Sequence, residues 1–286
     1  MSLLSPRNLY RRLLPATFRI RFRDFRRRLG YLRSLDKNVI FMSKRLRQFS
    51  GAYRGHHCFI MGNGPSLNKM DLKLFGNEFV WGSNRCYLLF DRIPWRPKFY
   101  VAVDKRVVPD NANEINLLSK KMPDSYFFYP ADFRRNRILK SNENVYWYDE
   151  VPHTEANLPY SMFSTAPSNF VYTVRSVTIA MLQLAVYLGF NPIYLIGCDT
   201  NYRIPPNVQI EKGDSNLLIS TDSDPNHFDP SYFGAGKKWH DPHVDGMIFH
   251  YEQAKKVCDE QGIRVLNATV GGNLEVFPRV NYLELF

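Results

Sequence analysis

The sequence predicts an α/β fold: a mainly parallel sheet with helices on both faces, preceded by a basic amphipathic helical arm. Three observations carry that expectation. Short apolar runs of strand length alternate with helix-like segments along most of the chain, the order that builds a parallel sheet. Small and polar residues follow directly after several of those runs. The charge also divides sharply between one end of the chain and the rest. The 286 residues carry 38 Lys/Arg and 27 Asp/Glu, a net charge of +11. Residues 1–55 hold 15 of the basic residues and 2 acids (Asp24, Asp36), a balance of +13, which leaves 23 against 25 and a balance of −2 for the remainder. A body so balanced speaks against nucleic acid as its partner.

Apolar residues at 44% and aromatics at 15% suffice for a globular core. Cys58, Cys86, Cys198 and Cys258 are widely spaced and form no C-x-x-C pair, which argues against a zinc site or a disulfide framework and fits a reducing compartment. No run of about 18 apolar residues occurs, and no secretory apolar segment follows Met1. The expected location is cytoplasmic, at the inner face of the membrane if the arm binds lipid.

The arm is assigned to residues 1–54 and the body to residues 55–286. Tyr10, Leu14, Phe18, Phe22, Phe25, Leu29 and Leu32 recur at steps of three and four, the spacing of one helical face. Arg11, Arg12, Arg19, Arg23, Arg26 and Arg27 lie mostly off that stripe, and Pro15 kinks the segment or starts a new helix. Such a helix suits an anionic membrane surface, touched through residues 7–35. The same stripe suits packing on the body or on a second subunit of a homo-oligomer. RNA is a third partner that the arm's charge would suit.

In the body, Cys58–Met61 reads as the first strand. It runs into Gly62-Asn63-Gly64-Pro65-Ser66-Leu67, after which Asn68 to Phe75 can begin a helix. A strand ending in a glycine turn that opens a helix presents backbone N–H groups at one point, and these suit a phosphate. Pro65 fits a first helical turn, and Ser66 adds a hydroxyl. Leu67 stands where the dinucleotide fingerprint G-x-G-x-x-G needs its third glycine, so this is not that motif. Phe79–Gly82, Lys98–Val103, Ser125–Tyr129 and Val145–Tyr148 read as further strands. Asn169 to Leu188 is a helical run stopped by Gly189. Ile193–Ile196 is a strand ending at Gly197-Cys198-Asp199, and residues 200–245 read as a long loop. Phe249 to Gln261 is helical, and Ile263–Leu266 is the last core strand.

The polar residues that follow strands are Gly62-Asn63-Gly64, Ser83-Asn84, Asp104, Gly197 to Asp199, and Asn267. In an open parallel sheet all of them lie along the carboxyl edge, where doubly wound proteins bind ligands. The expected ligand is a nucleotide with its phosphates at the Gly62–Ser66 turn. Asp104 and Asp199 could hold Mg²⁺ on a polyphosphate, bind ribose hydroxyls, or cap helices. Arg175 suits a phosphate clamp or an internal salt bridge. The segment Asp222 to Gly246 carries His227, Tyr232, Lys237, Lys238, Trp239, His240, His243 and Asp245, a place for a lid and a general base. His243 is the first choice of base and His240 the second. The His240–His243 pair lacks a third ligand in a metal-binding pattern.

Two families are resembled. Gly62-Asn-Gly-Pro-Ser-Leu67, Ser83-Asn84, Ile193-Tyr-Leu-Ile-Gly-Cys-Asp199 and Tyr202 look like the bacterial family-42 sialyltransferases. The resemblance implies a single Rossmann-like domain that takes CMP-sialic acid without a structural metal. It gives Gly62 to Ser66 and Asn84 to the CMP moiety, Tyr202 to the leaving phosphate, and Arg175-Ser176 to the nucleotide's side. Its histidine base falls on His240 or His243, and Tyr232 stands for a second tyrosine. The Gly-Pro-Ser-Leu run, Asp104, Asp199, Val265-Leu-Asn-Ala-Thr-Val-Gly-Gly272 and Phe277-Pro-Arg-Val280 are similar to the 6-hydroxymethylpterin diphosphokinase (MptE)-like family, from about residue 50 to the end. That family includes archaeal pyrophosphokinases and bacterial members in surface-glycan loci, and implies Mg²⁺–ATP at Asp104 and Asp199. The expected function is transfer of a nucleotide-activated sugar, CMP-linked, to a glycan acceptor in bacterial surface-polysaccharide synthesis. The alternatives are Mg²⁺-dependent pyrophosphoryl transfer, or nucleotide binding without turnover.

Overall fold

In chain order the strands are β1 (Cys58–Met61), β2 (Val80–Ser83), β3 (Phe99–Val101), β4 (Tyr126–Pro130), β5 (Val145–Tyr148), β6 (Glu150–Pro152), β7 (Val171–Thr173), β8 (Ile193–Ile196), β9 (Gln209–Ile210), β10 (Leu217–Ile219), β11 (Lys238–His240) and β12 (Val265–Asn267). The helices are α1 (Val107–Asp110), α2 (Ala112–Lys121), α3 (Ala131–Arg135), α4 (Val177–Leu188) and α5 (Val244–Glu260). This computed structural model describes residues 45–152, 161–211 and 217–286. The apolar stripe from Tyr10 to Leu32 and the membrane contact expected at residues 7–35 lie outside the described residues.

Seven strands form one sheet in the order β12-β8-β1-β2-β3-β4-β5, and every neighbouring pair is parallel. The fold is the Rossmann-like α/β architecture that the alternating segments predict. The chain works outward from β1 to β5, then returns to lay β8 and β12 on the other side of β1. Strand order therefore reverses between β1 and β8, the place where doubly wound sheets open a crevice for ligands.

Both faces of the sheet are covered, which is why its strands are apolar throughout and not alternating. Cys58 and Ile60 of β1 face the layer of α4 and α5, while Phe59 and Met61 face α2, α3 and the turns after β1. Ten of the 12 residues of α4 are buried, as expected of a helix apolar on all sides. Gln183, fully buried within it, is satisfied at both ends. Its Oε1 accepts from the N–H of Ser164 (2.8 Å) and Tyr172 (2.9 Å), and its Nε2 donates to the Tyr172 carbonyl (2.9 Å). Gly189, at φ +95°, ends the helix. Residues just before β1 join the same core. The Phe49 ring packs edge-on against Tyr126, Phe128 and Tyr146, and the N–H groups of Gly51 and Tyr53 donate to the last α4 carbonyls at Tyr187 and Leu188.

Several elements differ from the sequence expectation. The helix expected at Asn68–Phe75 is a pair of 3-10 turns, Pro65–Lys69 and Leu72–Asn77. The helical run from Asn169 starts only at Val177, because Ser176 caps it and Val171–Thr173 pairs in parallel with β6. The last strand begins at Val265 because Gly262, at φ +67°, reverses the chain and the Ile263 N–H still bonds the α5 carbonyl of Cys258. The long loop at 200–245 contains a small antiparallel sheet, β9-β10-β11. Among the described residues no helix is long and apolar enough to cross a membrane.

Candidate functional site

A cleft of about 500 Å³ opens at the β1–β8 switch point, within the size range of small-molecule sites. Gly62, Asn63, Gly64, Asn84, Asp104, Arg175, Ser176, Gly197, Asp199, Tyr202 and His240 line it. Pro65, Ser66 and Ser83 stand behind that lining. His243 stands outside it, in the left-handed conformation (φ +44°) at the N-terminal end of α5, its N–H held by Asp241.

The glycine turn closes on the protein itself. Gly62 N–H donates to the Ile196 carbonyl (2.8 Å) and Gly64 N–H to the Gly197 carbonyl (2.9 Å). Asp199 accepts from Ser66 through both oxygens, at 3.1 Å from the backbone N–H and 2.6 Å from the hydroxyl. The Asp199 carboxylate thus takes the place that an anion was expected to take at this turn. Burial pushes its carboxyl above the ordinary range, and the Ser66 hydrogen bonds pull it part of the way back. Gly64 must be glycine for this reason, since a Cβ there would lie 1.9 Å from Asp199 Oδ2.

The closing Asn267–Gly272 stretch supports the same loop from below. Thr269 Oγ1 accepts from Cys198 N–H (3.1 Å), and Asn273 N–H donates to the Asp199 carbonyl (2.7 Å). Gly272, at φ +73°, leaves room for that carbonyl, which a Cβ would approach to 2.8 Å. Arg279 holds the stretch through the carbonyls of Thr269, Gly271 and Gly272.

Further polar groups lie on the cleft floor and its far wall. Asn63 Nδ2 donates to Ser83 Oγ (3.1 Å), whereas its Oδ1 is buried without a partner. Asn84, at φ +48°, likewise has a buried Oδ1 with no partner. Buried carboxamide oxygens of this kind call for a donor. Across the cleft, Ser176, Val177 and Thr178 bring the N-terminal end of α4 to the lining, the positive end of a 12-residue helix. Ser176 Oγ accepts from Thr178 N–H (3.2 Å) and pairs with the Tyr251 hydroxyl (3.2 Å). Arg175 lies beside it, over Gly246 of α5, where a Cβ would meet its Nε at 2.8 Å.

Both Asp199 oxygens are taken by Ser66, and Asp104 Oδ1 caps α1 through the N–H groups of Arg106 (2.7 Å) and Val107 (2.9 Å). Among the described residues no group of three His, Cys, Asp or Glu gathers in metal-binding geometry.

The segment between β8 and α5 folds over the cleft and is tied down at both ends of the mouth. Phe228 N–H donates to the Asn63 carbonyl (3.0 Å), and Asn68 Nδ2 to the Phe228 carbonyl (2.9 Å). The Arg85 guanidinium donates to the carbonyls of Ser231 (2.8 Å) and Tyr232. These ties hold a histidine that the sequence pattern had not singled out as the base. His227 Nδ1 lies 2.7 Å from Asp224 Oδ2, and its ring stacks on Tyr232 at 3.9 Å with planes 2° apart. Asp224 also accepts from the N–H groups of Asn226 (2.8 Å) and Phe233 (3.0 Å). A carboxylate facing Nδ1 keeps the proton there and leaves Nε2 as the basic nitrogen. His227, Tyr232 and Tyr202 all line the cleft, and enclosure pushes the Tyr202 phenol up, so it stays a proton donor. The available sequence signal was Asp224-Pro-Asn-His227, an acid three residues before a histidine in a proline turn.

The model of the 6-hydroxymethylpterin diphosphokinase MptE-like family matches residues 31–205, well over half of the chain. The chain belongs to that family. The MptE-like match covers β1 to β8 with the glycine turn, Asn84, Asp104, Arg175 and Asp199, and stops before His227. The comparison with curated proteins found no match. Among solved structures, that of the MAf glycosyltransferase from Magnetospirillum magneticum AMB-1 is similar at 14% identity and a TM-score of 0.48. The similarity covers 87% of this chain and 39% of that one, so the chain spans well under half of that protein's length.

Proposed function

We propose that this MptE-like protein is a glycosyltransferase that takes a nucleotide-activated sugar, CMP-linked, and passes the sugar to a glycan hydroxyl in surface-polysaccharide synthesis. The observation that carries the reading is His227, which lines the cleft at the sheet's switch point with its Nδ1 held 2.7 Å from Asp224 Oδ2. In the step proposed, His227 Nε2 takes the proton of the acceptor hydroxyl as its oxygen bonds to the anomeric carbon. The bond from that carbon to the phosphate oxygen breaks, and the nucleotide leaves with the electron pair. The α4 N-terminus, Arg175 and the Tyr202 phenol would stabilise the departing phosphate. A positioned base of this kind contributes about 10²–10⁴-fold to the rate. The sequence resemblance to sialyltransferases supports CMP as the nucleotide. Pyrophosphoryl transfer from Mg²⁺–ATP would place the metal on Asp104 and Asp199, of which Asp199 accepts from Ser66 through both oxygens and Asp104 caps α1 through Oδ1.

Thermal stabilisation separates the two. CMP or a CMP-sugar should raise the melting temperature of the protein. A rise with ATP, Mg²⁺ and a pterin but none with CMP would overturn the proposal. Retention of cellular function by His227→Ala would point to a nucleotide-binding protein without turnover. The arm is proposed to place the enzyme at its membrane-anchored acceptor. Removing residues 1–44 should lower co-flotation with anionic liposomes, and undiminished flotation would sink that part.

A further inference from the structure

Behind His227, the segment that covers the cleft encloses a second cavity of about 180 Å³. Asn226, His227, Phe233 and Trp239 line both spaces, so the imidazole belongs to the wall between them. The larger space has the volume of a nucleotide-type site, and the smaller has room for about one sugar ring. With Nδ1 committed to Asp224, His227 has a single nitrogen left for proton exchange.

The walls of the small cavity are specific in kind. The Trp239 ring packs nearly parallel to Phe233 (6.2 Å, 22°), and its Nε1–H is fixed by Ser220 Oγ at 3.0 Å. Asn207, Thr221 and Ser223 add neutral donors and acceptors, and Asp222 and Asp224 add carboxylates. No Lys or Arg stands among the described residues that line it. A held aromatic face beside hydroxyls and an amide matches a ring with C–H faces and hydroxyl edges. Asp224 is paired with His227 and two N–H groups, which leaves Asp222, with no Lys or Arg in the lining, to disfavour an anionic occupant through like-charge repulsion.

We infer that this cavity is the acceptor site, and that it takes one uncharged sugar ring whose hydroxyl is deprotonated by His227. The inference rests on the sugar-transfer reading. It assigns the large cleft to the donor, the small cavity to the acceptor, and the imidazole to the point where they meet. The enzyme would therefore extend glycans that end in a neutral sugar and reject those ending in a uronic acid.

The test is saturation-transfer NMR on the full chain with neutral methyl hexopyranosides (glucoside, galactoside and N-acetylglucosaminide) and with glucuronic acid. At least one neutral glycoside should receive saturation, and glucuronic acid should not. Ser223→Trp and Val208→Phe each fill the small cavity from its outer wall, and the glycoside signal should vanish in both. Each variant should keep the thermal shift given by CMP, which shows that the fold and the donor cleft survive. Absence of signal from every neutral glycoside, its survival in both filled variants, or equal binding of glucuronic acid would overturn the inference. The CMP shift of the unaltered protein tests the transfer reading separately, so either can fail without the other.

Discussion

Gly64→Ala is the substitution whose consequence follows most directly from geometry. At φ −72° and ψ 159° the backbone is one that any residue adopts, so alanine brings no conformational strain. The obstacle is the new methyl group, which would lie 1.9 Å from Asp199 Oδ2, 2.6 Å from its Cγ and 2.7 Å from the Gly197 carbonyl oxygen. Reaching an ordinary contact requires the carboxylate to retreat by roughly 1.5 Å. That retreat carries both oxygens out of hydrogen-bonding range of Ser66, whose bonds are now 2.6 and 3.1 Å. Hydrogen bonds to a charged acceptor contribute about 1.5–3 kcal/mol each, so the expected loss is at least about 3 kcal/mol. Urea unfolding followed by circular dichroism measures it. A loss below about 1 kcal/mol would refute the reasoning. A double-mutant cycle sharpens the test. In an Asp199→Ala background the carboxylate contact is gone and the Gly197 carbonyl remains, so Gly64→Ala should then cost only the roughly 1–3 kcal/mol usual for overpacking. If the two losses simply add, the carboxylate is not what glycine accommodates.

Other outcomes follow from the same contacts. His227→Ala should lower kcat by about 10²–10⁴-fold with little change in CMP affinity, and Asp224→Asn should lower it less while distorting the pH–rate profile, both read by steady-state kinetics. Gly246→Ala should displace Arg175, whose Nε a Cβ there would meet at 2.8 Å, and weaken CMP binding about tenfold by calorimetry. Asp199 has a native pKa raised above 3.8, so the folded chain holds its proton more tightly than the unfolded chain does. The group therefore stabilises the fold at acid pH and loses that contribution as pH rises from 3.8 through the elevated value. Asp199→Asn, which keeps the shape, should gain stability relative to the natural chain across that window in a pH series of urea titrations. A flat difference would contradict the burial argument.

The strands that were legible in the sequence are those whose ends are marked by chemistry. Cys58–Met61, Val145–Tyr148 and Ile193–Ile196 stand at their expected limits because glycine, acid or proline bounds an apolar run. The carboxyl-edge residues were legible for the same reason, since a residue that follows a parallel strand can only stand at that edge. What escaped was whatever depends on partners distant in sequence. β9, β10 and β11 are two or three residues long, too short to show a period of two, and exist because they pair with one another. His227 carries no periodic signal either. Its role depends on an Asp224 oxygen at 2.7 Å and a Tyr232 ring at 3.9 Å, distances set by a turn that only the folded segment defines.

The glycine turn shows how one motif can be read in two ways. A strand, two glycines and a proline before a helical turn have the pattern of a phosphate cradle, and the test is what a side chain there would strike. At Gly62 a Cβ would lie 2.3 Å from the Gly197 carbonyl oxygen, and at Gly64 it would strike the Asp199 carboxylate. Both obstacles belong to the neighbouring β8 loop. The glycines let two strand-end loops close on each other across the switch point, where the Gly62 and Gly64 N–H groups bond β8-loop carbonyls and the Asp199 carboxylate takes the Ser66 N–H. A ligand phosphate entering this cleft must therefore find its positive partner on the opposite wall, where α4 begins beside Arg175. Charge placement thus orients the proposed donor, with its phosphate toward α4, its polar edge toward Asn63 and Asn84, and its sugar toward His227.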